Sequence, residues 1–171
     1  MKQLHHTEIE NKQQEFPITI VCDAIRTPEN IGMCFRISES FGVQKIYLHE
    51  TSPSIKNRIV QKTARNTLNQ IEHETYADFD EIIKQLKAEG NIIIGIEITD
   101  KSTAIKEFDF TKHKKTVLLL GSERNGIENI NLVDNTVAIP MYGRNSSMNV
   151  IHSLSIALYE VTNQLTASNN K

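Results

Sequence analysis

Asn30, Arg36, Glu123, Ser147 and Asn149 are polar side chains that stand beside glycines at the ends of apolar stretches. They fall in three segments. The first is Asn30-Ile-Gly-Met-Cys-Phe-Arg36, and the second is Gly121-Ser-Glu-Arg-Asn-Gly126, directly behind an apolar run at 117–120. The third runs from Ile139-Pro-Met141 through Gly143 to Ser147-Met-Asn149. Binding sites of α/β proteins are built in loops at strand ends. Amide, guanidinium and carboxylate groups gathered there could hydrogen-bond a ligand bound at the strand ends. Glycine allows backbone to approach a ligand, and Gly121, Gly126 and Gly143 are candidates for that role. Each residue also has a plain structural reading. Asn30 can cap the helix carrying a solvent-exposed Arg36, Ser147 can cap the last helix with Asn149 in its first turn, and Glu123 can be a loop charge. Spacing alone favours the plain reading for Asn30 and Arg36. The second segment is not a P-loop, because it lacks the Gly-Lys-Ser/Thr ending.

The elements that must position these residues alternate between strand and helix. Residues 16–22, 45–49, 71–76, 92–98, 117–120 and 137–139 read as strands. The runs at 92–98 and 117–120 are near-continuously apolar, as in a parallel sheet covered on both faces. Helices are predicted at 30–41, stopped by Gly42, at 54–66, at 78–88, closed by Gly90, and at 147–165. The pattern gives an α/β fold with a mainly parallel sheet and helices on both faces. Residues 1–15 read as a polar N-terminal arm, 16–165 as one domain, and 166–171 as a frayed tail. The last helix is apolar around most of its circumference, which predicts burial on more than one side.

A chain of 171 residues, 39% hydrophobic and 23% charged, suits one soluble domain. The apolar runs are too short to cross a bilayer and the arm has no signal-peptide core, so no membrane association and a cytoplasmic location are expected. Cys22 and Cys34 read as buried free thiols. Cys, His and carboxylate residues show no metal-site spacing, and the pair His5-His6 reads as incidental. Net charge is −2, which counts mildly against a dedicated nucleic-acid binder. Residues 53–70, however, hold Lys56, Arg58, Lys62 and Arg65 with no acid, and the last three would share one helix face. That face is either solvated or an RNA-phosphate contact.

The three motifs, in this order and spacing from about residue 16 to 165, resemble those of SpoU-type (TrmH family) RNA 2′-O-ribose methyltransferases of the SPOUT superfamily. The resemblance implies a C-terminal trefoil knot, S-adenosylmethionine as cofactor, tRNA or rRNA as substrate, and a homodimer with the C-terminal region at its interface. It places Asn30 and Arg36 in the active site, with Glu123 holding the loops and Asn149 orienting catalytic groups. Ile96, Glu97, Gly121, Ile139, Met141, Ser147 and Met148 become the expected cofactor contacts. The lack of an added RNA-binding domain tilts the expectation toward tRNA. One departure is Ile151-His152 after the third motif, where many relatives carry Ser. His152 is expected to pack or to lie at an interface rather than to act as a base. Competing readings are a catalytically silent RNA-binding protein on the same scaffold, and a Rossmann oxidoreductase. The latter lacks its Gly-x-Gly-x-x-Gly after the first strand.

Overall fold

Residues 1–5, 8 and 11–169 are described by a computed structural model. Strands and helices follow as β1 (Phe16–Cys22), α1 (Pro28–Ser40), β2 (Val43–His49), α2 (Arg58–Ala64), β3 (Glu72–Tyr76), α3 (Phe79–Ala88) and β4 (Ile92–Ile96). The two-residue β5 (Thr103–Ala104), β6 (Thr116–Leu120), β7 (Asn135–Ala138) and α4 (Val150–Asn169) complete the chain. The strands form one sheet in the order β3-β2-β1-β6-β4-β7-β5, and every pairing is parallel.

Parallel strands need crossovers, and these lay helices on both faces. Alternate residues of the central strands therefore enter two cores. On one face Ile18, Ile20, Ile46, Ile94 and Leu118 pack with Phe35 of α1, Val60 of α2, and Leu154, Leu158 and Val161 of α4. On the other, Val21, Ile93, Val117 and Leu119 meet Phe79, Ile82, Ile83 and Leu86 of α3. All of β6 is buried, as its unbroken apolar run predicts. The α1–α2 contact is close because Gly32 has no side chain: a Cβ there would stand 2.7 Å from both Thr63 Cβ and Val60 O. That contact sets the basic α2 against the helix of the first motif.

Several sequence expectations are corrected at their ends. Thr27, not Asn30, is the N-cap of α1, and Asn30 lies in the first turn. The reason is Pro28, which belongs at the first helical position because it has no N–H to donate. The basic helix is shorter than 54–66. Asn57 caps it by accepting from Ile59 N–H, and Arg65 leaves it with φ 57°. Only Arg58 and Lys62 therefore keep helical spacing. The strand at 92–98 stops at Ile96, and the last strand is Asn135–Ala138 rather than 137–139. Asn149 replaces Ser147 as the cap of α4, its Oδ1 accepting Ile151 N–H at 2.8 Å. The expected frayed tail is helical through Asn169; residues 170–171 lie outside the described residues, as does His6. His152 is exposed within the single chain rather than packed.

Candidate active site

The C-terminal ends of β4, β6 and β7 open onto a cavity of about 530 Å³. Its walls are Ile96–Ile98 after β4, Leu120–Arg124 and Gly126 after β6, Val137–Ile139 at β7, and the segment from Met141 through Ser147–Val150 that leads into α4. All the residues read from the sequence as cofactor contacts line this one space: Ile96, Glu97, Gly121, Ile139, Met141, Ser147 and Met148. So do Glu123 and Asn149. The glycines differ in their reasons. A Cβ on Gly121 would stand 2.2 Å from the Gly126 carbonyl carbon, so this glycine lets the 121–126 loop close on itself. Gly126 adopts φ 67°, and a Cβ there would meet the Glu97 carboxylate at 2.5 Å. Among the described residues, a Cβ on Gly143 would meet no atom within 4 Å.

Asn30 joins the cavity rim through hydrogen bonds. Its Nδ2 donates to Glu123 Oε1 at 2.9 Å, and its Oδ1 accepts from Asn149 Nδ2 at 3.3 Å. One residue from each motif thus meets in a single chain, across 93 and 119 positions of sequence. Glu123 takes two more bonds, from Arg26 N–H at 3.0 Å and Thr27 N–H at 3.1 Å. It sits at the positive end of α1, where an anion is favoured and where Thr27 itself offers no side-chain cap. Burial opposes its ionisation. The Arg26 N–H, the Asn30 amide and the Thr27 N–H outweigh that and bring its pKa down to about 2.

Arg36 lies outside the cavity lining. It is half-buried on α1, about 9 Å along the helix axis from Asn30. Among the described residues its guanidinium makes no hydrogen bond or ion pair. Lys56, Arg58, Lys62 and Arg65 are all exposed, and among the described residues none of them is ion-paired. No cluster that could hold a metal ion occurs among the described residues. Cys22 and Cys34 are free and buried, with Sγ atoms 3.7 Å apart. Their mutual hydrogen bond and burial push the Cys22 thiol well above its usual range. The donors Arg26 and Thr27, Arg124 in the cavity wall, and Gly32 between the helices were not singled out from the sequence. Of these only Thr27 carried a signal, namely the proline that follows it.

Residues 17–159 match the model of the SpoU rRNA Methylase family. The chain belongs to that family. Among curated SpoU relatives, the tRNA (guanosine(18)-2′-O)-methyltransferase of Escherichia coli (strain K12) is 26% identical over 149 residues. That match covers 86% of this chain and 63% of the relative, so the chain spans less than two thirds of that enzyme's length. The 23S rRNA (guanosine-2′-O-)-methyltransferase RlmB of Neisseria meningitidis serogroup B is 25% identical over 170 residues, covering 98% of this chain and 67% of the relative. The fold agrees with solved SpoU structures. The TrmH/SpoU tRNA modifying enzyme of A. aeolicus superposes with a TM-score of 0.82 at 23% identity, over 92% of this chain and 79% of that one. The SpoU methyltransferase AviRb from Streptomyces viridochromogenes, solved in complex with AdoMet, gives 0.80 at 22% identity, over 95% and 65%. Among the described residues no helix is long and apolar enough to cross a membrane.

Proposed function

We propose that this chain is an S-adenosylmethionine-dependent RNA methyltransferase that modifies a ribose 2′-hydroxyl of tRNA or rRNA, working as a homodimer. The observation that carries this reading is the Glu123–Asn30–Asn149 chain at the rim of the strand-end cavity. A cavity of about 530 Å³ is of the size used for small-molecule cofactors. Its lining suits an amphipathic nucleoside: Ile139, Met141 and Met148 give apolar walls, while Glu97 and Ser147 give polar contacts. Bound there, S-adenosylmethionine supplies a methyl group already activated by its sulfonium.

The residues of the chain have the remaining tasks of orientation and charge. Glu123 is ionised at neutral pH, and its oxygens are engaged by Arg26, Thr27 and Asn30. It therefore holds the loops and is not free to act as a base. Asn30 is held at both ends of its amide, and Asn149 is held both by Asn30 and by the start of α4. Arg36 cannot be a base either, because guanidinium stays protonated. In this reading it binds the target phosphate or opposes negative charge building on the ribose oxygen.

Lys56, Arg58, Lys62 and Arg65 supply phosphate contacts beside that site. A second copy of the chain covers the exposed stripe of α4, where Ile156 is 38% and Tyr159 63% exposed beside His152. A strictly monomeric species by light scattering at micromolar concentration would refute the dimer. The trefoil knot is part of the same proposal, supported by α4, which follows β7, packing back against α1 on the face of the sheet that they share. Pulling the unfolded chain by its ends should leave a contour shorter than an unknotted chain of this length. The free thiols suit the cytoplasm, where RNA and cofactor are both available.

The primary test is calorimetry with S-adenosylmethionine and, in parallel, with NAD, followed by mapping of 2′-O-methyl groups in total RNA with and without the gene. Binding of S-adenosylmethionine alone and loss of one mapped methyl group are expected. Absence of S-adenosylmethionine binding would overturn the reading.

A further inference from the structure

Two loops meet above the strand ends, and each is fastened by a carboxylate belonging to the other. From the loop after β6, Glu123 holds the Arg26 and Thr27 N–H groups of the loop after β1. In the opposite direction Asp23, the first residue after β1, accepts the Glu128 backbone N–H through Oδ2 at 2.7 Å. The Asp23 backbone N–H also donates to Leu120 O at 2.8 Å, extending the β1–β6 ladder by one step. Asp23 thus grips both ends of the 121–128 segment, its entry through the backbone and its exit through the side chain.

What lies between is tightly closed. Ser122 and Gly126 exchange both backbone hydrogen bonds, and Ile127 is buried in the core. Asp23 itself is 2% exposed, and its second oxygen, Oδ1, has no hydrogen-bond partner among the described residues. A buried carboxylate is costly unless it is hydrogen-bonded, and the bond that the Asp23 carboxylate makes is the one to Glu128 N–H. Burial, the largest influence, raises the Asp23 pKa from the ordinary value, and the Glu128 N–H opposes that rise. The next residue, Ala24, has φ 53°, a left-handed conformation uncommon for a residue with a Cβ. This turn directs the chain out of Asp23 and brings residues 26 and 27 to Glu123.

We infer that Asp23 is a positioning residue for methyl transfer, holding the Glu128 end of the 121–128 loop so that the cofactor cavity keeps its width and Glu123 its reach to Asn30. This rests on the function proposed above.

The test compares Asp23→Ala and Asp23→Asn in the full chain. Asparagine keeps the size and the acceptor oxygen, whereas alanine removes the acceptor. Three quantities are read: exchange of the Glu128 amide in cofactor-free protein, S-adenosylmethionine affinity by calorimetry, and the separate values of KM and kcat. For Asp23→Ala, Glu128 exchange should rise and affinity should fall by roughly tenfold or more, the factor carried by one charge-assisted hydrogen bond. KM for the cofactor should move more than kcat, and Asp23→Asn should restore all three to within a few-fold. If Asp23→Ala does not fold, Asp23→Leu fills the space without an acceptor and takes its place. A folded acceptor-less variant with wild-type exchange and affinity would overturn the inference. So would an asparagine variant as impaired as alanine. If the wild-type chain binds no S-adenosylmethionine, the functional reading fails, while the exchange measurement still decides the tether.

Discussion

Glu123→Gln changes the site's charge while nearly preserving its shape, and its consequence can be worked from the structure. Oε1 accepts from Thr27 N–H and Asn30 Nδ2, and Oε2 accepts from Arg26 N–H. Glutamine has one acceptor oxygen. Placed at the Oε1 position it keeps two bonds and turns its NH2 against the Arg26 N–H. The fall in pKa from 4.5 to about 2 sets a ceiling of about 3 kcal/mol on what ionised Glu123 adds to stability. Glu123 is exposed, so solvent screening reduces this to about 1–2 kcal/mol. Its folded pKa is depressed, so the contribution is fully present above about pH 4.5 and is lost as pH falls toward 2. Urea unfolding of wild type and variant at constant ionic strength, from pH 7 down to pH 2, should show a gap of that size. The gap should hold to about pH 5 and then close. Because the loop also lines the cavity, cofactor affinity should fall in parallel at neutral pH. An equal gap at pH 3 and pH 7, or none at pH 7, would refute the loop-holding role.

Three further outcomes are expected. Arg36→Ala should leave dimerisation and S-adenosylmethionine binding near normal while slowing single-turnover methyl transfer by about a hundredfold or more, with Arg36→Lys recovering only part; a near-normal rate would make Arg36 structural. Gly32→Ala should destabilise by about 1–3 kcal/mol, since its Cβ would stand 2.7 Å from Val60 O, and unchanged urea unfolding would mean that α2 yields freely. Charge-neutral substitution of Lys56, Arg58, Lys62 and Arg65 should weaken RNA binding and flatten the slope of log affinity against log salt by roughly one unit per lost contact. Unchanged slopes would return these residues to a solvated surface.

The alternation of strands and helices was legible because parallel strands buried on both faces leave continuous apolar runs, as at β4 and β6. Strand order was not legible: β4 lies beside β6 and β7, and nothing in the local sequence marks that choice. The two-residue β5 is too short to leave a periodic signal. Element ends were read wrongly where a polar residue had two local uses. Ser147 and Asn149 are both good caps, and only the chain path decides for Asn149. Arg65 fits a helical face by spacing, yet its left-handed backbone removes it from α2.

The same residues show why local reading understates a site of this kind. By spacing, Asn30 and Ser147 are caps, Asn149 is a first-turn residue and Glu123 is a loop charge; in the structure Asn149 caps α4 instead, and Glu123 serves the N-terminal end of α1. The caps are shared between distant segments. Glu123 satisfies donors almost a hundred residues earlier in the chain, and Asn149 starts its own helix while holding Asn30. A group that must both end a helix and orient a neighbour has little freedom to move. Such a site is preorganised by the same bonds that close the fold, so substitutions within it should alter stability and cofactor affinity together. Arg36, without such a bond, should alter the chemical step alone. Measuring stability, affinity and rate across Glu123, Asn149 and Arg36 variants therefore separates the residues that build the cavity from one proposed to act on the transfer step.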